Sequence, residues 1–116
     1  MIVTVWKKTT FDAAHHLPNY DGPCANVHGH TYILEVGLTG HIRENGMVYD
    51  MKRLGEWMDK LVERFDHHDL NESFGNPTAE NIAKAIYADA LYVFYPEMNV
   101  TIRLWETPTS WVECRS

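Results

Sequence analysis

The chain has 116 residues and a formal charge of −6. That length suits one compact domain over 1–116, and the negative balance argues against a general nucleic-acid surface, which wants a basic face. No stretch approaches the roughly 20 apolar residues of a membrane helix, and Met1–Thr10 carries Lys7 and Lys8 in a β-like run instead of a signal peptide's apolar core, so a cytoplasmic protein with reduced Cys24 and Cys114 is expected.

Ile2 to His15 reads as a long first strand whose period-two alternation puts Val3, Val5, Phe11, Ala13 and His15 on one face. Asn19-Tyr-Asp-Gly-Pro23 is turn chemistry and predicts a loop. Val27 to Gly40 is the clearest strand, with His28, His30, Tyr32, Leu34, Val36 and Leu38 sharing a face. His41 to Tyr49, with Asn45-Gly46 inside it, predicts a hairpin-like turn. Asp50 can then cap a helix carrying Leu54, Trp57, Met58, Leu61, Val62 and Phe65 on its apolar side, and Asp66 to Asn71 ends it. Thr78 caps a second helix with an inner stripe of Ile82, Ile86, Ala90 and Val93, and Pro96 lies beyond its end. Val100–Glu106 and Trp111–Arg115 are strands joined by the Thr107–Ser110 turn. The order ββααββ predicts an α+β fold, a four-stranded antiparallel sheet with two helices on one face. Its open edges need covering or pairing, so a homo-oligomer is expected.

The chemistry concentrates in Cys24-x-x-x-His28-x-His30 with His15 upstream. On a strand, residues i and i+2 project to the same side roughly 7 Å apart, so His28 and His30 can converge on one ion. His15 is in phase with its strand's apolar face, and His16 is not. Three histidines without a fourth protein ligand suit catalytic zinc, which keeps one position open. The alternative is a pair of ordinary half-buried strand histidines. Cys24 is either a fourth ligand or a thiol aimed at a substrate from its turn-rich loop; Cys114 fits a small buried residue. Asp66-His67 offers a carboxylate that orients an imidazole for proton transfer, or simply histidine at a helix end. Glu106 continues the face of Val100, Ile102 and Leu104, where a carboxylate needs donors unless it lies past the sheet in solvent.

Together these residues resemble the family of 6-pyruvoyl- and 6-carboxytetrahydropterin synthases. Phe11-Asp-Ala-Ala-His15 resembles its first zinc-ligand motif, and Cys24-Ala-Asn-Val-His28-Gly-His30 its cysteine and remaining ligands. Leu61 to Asn71 is similar to its acid/base segment, Asn76 to Asn81 to the start of its second helix, and Trp105-Glu106-Thr107 to its pterin anchor. The resemblance covers nearly the whole chain in order. It implies the tunnelling fold (T-fold), ββααββ, in which trimers close their sheets into a barrel and pair as a dimer of trimers, a homohexamer, with active sites between subunits.

The resemblance further implies a zinc lyase acting on a pterin triphosphate, 7,8-dihydroneopterin triphosphate. Zinc would sit on His15, His28 and His30, with Cys24 as base, His67 oriented by Asp66 as proton relay, and Glu106 with Thr107 holding the pterin. The three-residue gap between Cys24 and His28 resembles the carboxytetrahydropterin branch, which feeds queuosine and related deazapurine synthesis. Pro23 departs from the lysine that often precedes the cysteine in related sequences. The rival readings are a pyruvoyl-forming synthase and a non-catalytic, zinc-stabilised pterin-binding protein.

Overall fold

The alternating pattern at the N-terminus folds, in a computed structural model describing residues 1–116, as a long antiparallel hairpin. Strand β1 (Ile2–His15) pairs along its whole length with β2 (His28–His41), from Ile2 opposite His41 to His15 opposite His28. Helix α1 (Met51–Val62) follows, then a two-residue strand β3 (His68–Asp69), helix α2 (Ala79–Phe94), β4 (Asn99–Thr107) and β5 (Ser110–Arg115). The sheet order is β3-β1-β2-β4-β5. The four expected antiparallel strands are all present. The fifth, β3, runs parallel to β1 and touches it only at Ala13 and Ala14; two residues are too short for any periodicity to announce them.

Local chemistry sets the boundaries. The hairpin-like turn before α1 closes with the Gly46 N–H donating to the Arg43 carbonyl at 2.9 Å, and Gly46 takes φ 84°, where a side chain would be strained. The Asp50 carboxylate accepts from the Lys52 N–H at 2.8 Å, and the Thr78 hydroxyl accepts from the Asn81 N–H at 3.1 Å, so both predicted caps form. Neither helix is long and apolar enough to cross a membrane.

Both helices cover the same face of the sheet, α1 against β1 and α2 against β4 and β5. Tyr32, Leu34, Val36 and Leu38 of β2 meet Leu54 and Met58 of α1 and Ile82, Ile86 and Ala90 of α2 in one apolar core. The α2 stripe differs from expectation at its end. Val93 is 50% exposed, whereas Phe94 is buried, its ring 5.1 Å from that of Trp57 and 5.3 Å from that of Tyr49. The stripe advances by fours to Phe94, whose larger ring fills the gap between helix and loop. Ile86 is fully buried, so Ile86→Ala is expected to cost about 2–5 kcal/mol of unfolding free energy, read as a shifted urea midpoint.

The other sheet face carries no helix. There the Trp6 indole lies on Gly37, where a Cβ would come within 2.8 Å of the ring, and the Arg103 guanidinium stacks over Trp6 at 4.4 Å. Arg103 also donates to Glu113 at 2.7 Å, and Trp105 stacks on Trp111 with centroids 4.2 Å apart. At the sheet's two sides, β5 has β4 as its one partner, and β1 before Ala13 has only β2.

Candidate active site

Register places the histidines. His15 ends β1 opposite His28, the first residue of β2, and His30 lies opposite Ala13. All three project to the helix-covered face. Their ring centroids lie 4.6 Å (His15–His28), 5.1 Å (His15–His30) and 4.8 Å (His28–His30) apart, and one nitrogen from each falls within 4.8 Å of the others.

Two backbone carbonyls select the tautomers. His15 Nδ1 is 2.8 Å from the Pro77 oxygen, and His28 Nδ1 is 2.7 Å from the Asn26 oxygen. A carbonyl can only accept, so each Nδ1 carries a proton and each neutral ring keeps a lone pair on Nε2. Those two Nε2 atoms face each other at 3.1 Å. Tetrahedral zinc, with Zn–N near 2.0–2.1 Å, spaces its nitrogens by about 3.3 Å. His30 adds the deciding atom, a buried Nε2 with no hydrogen-bond partner. A proton could bridge two nitrogens; three converging ones fit a metal ion. Burial, first, and the neighbouring His15 and His28 lower the His30 pKa, against an opposing pull from Glu106, and so favour the neutral, ligating ring. Carbonyl-oriented imidazoles of this kind are the usual outer support of a metal site.

Glu106, on the β4 face it was expected to occupy, brings Oε1 to 3.6 Å from His30 Nε2 at the rim of the cluster. Its side chain is only part-exposed, neither past the sheet nor sealed in the core. Thr107 follows across a register irregularity, its hydroxyl within 3.4 Å of that of Thr109.

Cys24 lies in a 3-10 turn (Pro23–Ala25) with Pro23 at its first position, where a missing N–H costs nothing. Its carbonyl accepts from the Leu17 N–H at 2.8 Å. The thiol is half-buried and is not among the donors that lie within 4.8 Å of one another. The three histidines therefore assemble without it. Cys114 is half-buried on β5; burial, then Glu113, raise its pKa, as suits an inert thiol.

Asp66 and His67 follow α1 in a tight turn. His67 Nδ1 lies 2.9 Å from Asp66 Oδ2, and the ring is largely exposed. The other carboxylate oxygen accepts from the Asp12 N–H at 2.9 Å, and the His67 N–H donates to the Asp12 carbonyl at 2.6 Å. The Asp12 N–H, first, and the His67 ring, second, hold the Asp66 carboxyl below its usual range. His67 takes the left-handed conformation, φ 59°, uncommon outside glycine. His67 lines a hollow of 540 Å³ with Asp12, Gly29, Thr31 and Asp69, whose strand phase puts them on the sheet face away from the three histidine rings, so one chain does not gather the Asp66–His67 pair with the histidine cluster.

Sequence reasoning missed Asp12 and Asn71. The Asn71 side chain accepts from the His16 N–H at 2.9 Å and donates to the His16 carbonyl at 3.0 Å. Both act on residues more than fifty positions away, which periodicity cannot see; the only local cue for Asp12 was its place inside Phe11-Asp-Ala-Ala-His15.

Comparison with known proteins agrees in several ways. The 6-pyruvoyl tetrahydropterin synthase family model matches residues 4–116. A 6-carboxy-5,6,7,8-tetrahydropterin synthase of Synechocystis sp. is 36% identical over 114 residues, covering 91% of this chain and 88% of that protein. One from Haemophilus influenzae is 34% identical over 134 aligned positions, covering 92% and 94%. Among solved structures, Caenorhabditis elegans 6-pyruvoyl tetrahydropterin synthase superposes with a TM-score of 0.87 at 26% identity, over 100% of this chain and 96% of that one.

Proposed function

The chain belongs to the 6-pyruvoyl tetrahydropterin synthase family, and from that premise we propose that it is a zinc-dependent carbon–carbon lyase. It takes 7,8-dihydroneopterin triphosphate and one water to 6-carboxy-5,6,7,8-tetrahydropterin, acetaldehyde and triphosphate, in queuosine and related deazapurine synthesis. The carrying observation is the convergence of three histidine nitrogens beside the Glu106 carboxylate. The curated relatives named for the carboxytetrahydropterin product support that product.

His15, His28 and His30 would hold the zinc, which as a Lewis acid acidifies a side-chain hydroxyl and stabilises developing negative charge. Glu106, aided by Thr107, accepts two adjacent N–H groups of the pterin ring and so orients the reacting side chain. Cys24 removes a proton from that side chain as base. His67, its Nδ1 held by Asp66, carries protons at Nε2 on the other side. Asp66 remains ionised at neutral pH and stabilises the protonated imidazole between transfers. A ring of three subunits, or two such rings paired, would cover the open β1 and β5 edges and bring sites together between chains.

Mass spectrometry of the products after incubation with 7,8-dihydroneopterin triphosphate tests the reading. Carboxytetrahydropterin with acetaldehyde is expected, and a pyruvoyl-pterin alone overturns it. Glu106→Gln keeps the shape but loses the charge. It is expected to lower kcat/KM by about 10- to 100-fold, from the roughly 1.5–3 kcal/mol of a charge-assisted hydrogen bond, measured by steady-state kinetics at fixed zinc.

A further inference from the structure

We infer that Asn71 is a positioning residue that locks the metal ligand His15 and the Cys24 turn into one geometry; the inference rests on the metal and thiol roles proposed above. Strand β1 ends at His15, so the next peptide has no strand partner. The Asn71 amide takes that place. Its oxygen accepts from the His16 N–H at 2.9 Å and its nitrogen donates to the His16 carbonyl at 3.0 Å, the donor and acceptor pattern of a β-bridge made by a side chain.

The clamp is itself held. The Asn71 N–H donates to Asp69 Oδ1 at 3.0 Å, and Asp69 belongs to β3, paired with Ala14. Immediately before the clamped residue, His15 points Nε2 at His28 and Nδ1 at the Pro77 carbonyl. Immediately after it, the Leu17 N–H holds the Cys24 carbonyl at 2.8 Å. The His16 peptide thus sits between a metal ligand and the tether of the thiol, and one amide side chain fixes it at both hydrogen-bonding atoms. The His16 ring adds a longer contact, Nε2 at 3.4 Å from the Asn71 amide nitrogen, and its Nδ1 is buried without a partner.

Full-length wild type, Asn71→Ala, Asn71→Asp and the remote core variant Ile86→Val decide the matter. Zinc affinity is read by competition with a chromophoric chelator. Iodoacetamide alkylation of Cys24 is read by mass spectrometry, with Cys114 as internal reference. Asn71→Ala is expected to weaken zinc binding by about 10- to 100-fold, the usual effect of losing outer support, and to speed Cys24 alkylation by about threefold or more as its turn loosens. Asn71→Asp keeps the acceptor for the His16 N–H but sets a carboxylate oxygen against the His16 carbonyl, so both readouts are expected to move in the same direction as in the alanine variant, and it also serves if that variant does not fold. Ile86→Val lowers the melting temperature without moving either readout. The inference is overturned if the Asn71 variants lose stability as Ile86→Val does while zinc affinity and Cys24 alkylation stay at wild-type values. Failure of wild type to take up zinc defeats the proposed function instead, and the alkylation comparison, which needs no metal, still decides the role of Asn71.

Discussion

Alanine at position 24 is expected to lower kcat by about 10²- to 10⁴-fold, the usual contribution of a positioned proton-transfer group, while zinc content stays at the wild-type level. The separation follows from the geometry. The three histidines assemble from β1 and β2 without the thiol. Cys24 is tied to that frame through its carbonyl, which accepts from Leu17, and replacing its side chain leaves this bond intact. Single-turnover rates together with metal analysis of the same preparation make the measurement. Undiminished turnover would place the base elsewhere. A variant without zinc would make Cys24 a ligand, contrary to the present arrangement. If neither wild type nor variant turns over but both bind pterin, the non-catalytic reading stands.

His28→Ala is expected to abolish zinc-dependent stabilisation and activity together. A ligand that binds only the folded state at about 1,000 times its Kd adds about 4 kcal/mol, on the order of 15 °C in melting temperature for a domain of this size. Wild type should show that increment on adding zinc, and His28→Ala should not. In metal-free protein the sign is less obvious. His15 and His28 point lone pairs at each other across 3.1 Å, so removing one ring relieves an uncompensated contact. The same substitution gives up the bond from His28 Nδ1 to the Asn26 carbonyl, so the two effects oppose and the metal-free variant should lie close to metal-free wild type in stability. Differential scanning fluorimetry with and without chelator reads both effects. A variant that unfolds regardless of metal would make His28 a structural residue, and one that keeps its zinc increment would remove it from the ligand set.

Much of the frame was legible in the sequence because it follows from phase. Period two put His15, His28 and His30 on the face shared by Phe11, Tyr32 and Leu34, and the sheet register then made them neighbours. Phase also placed Glu106 over the same face as Leu104, where it meets His30. Cap chemistry marked both helix starts at Asp50 and Thr78. What escaped depends on partners far along the chain. The Asp12 peptide that holds Asp66 and His67 and the Asn71 amide each act through a pair of hydrogen bonds, and the Pro77 carbonyl through one. A lone backbone carbonyl leaves no trace in residue type. The left-handed His67 was equally hidden, since its conformation is imposed from β1. On α2, the sequence reading closes the stripe at Val93, whereas the space beside Trp57 and Tyr49 takes the larger ring of Phe94.

The bond from His15 to the Pro77 carbonyl spans 62 positions, and it sets an order of events during synthesis. All three histidines have been made once the chain reaches His30, yet the group that orients His15 is not made until Pro77. At about 5–20 residues per second, the hairpin waits roughly 2–10 s for it. Through that interval the histidines can meet without the orientation that makes them a site, and the first turn of α2 must dock before they have it. The proposed metal-binding set, written almost entirely into the first strands, is thus completed from farther along the chain, so tight metal capture by it would report that the helical layer has arrived.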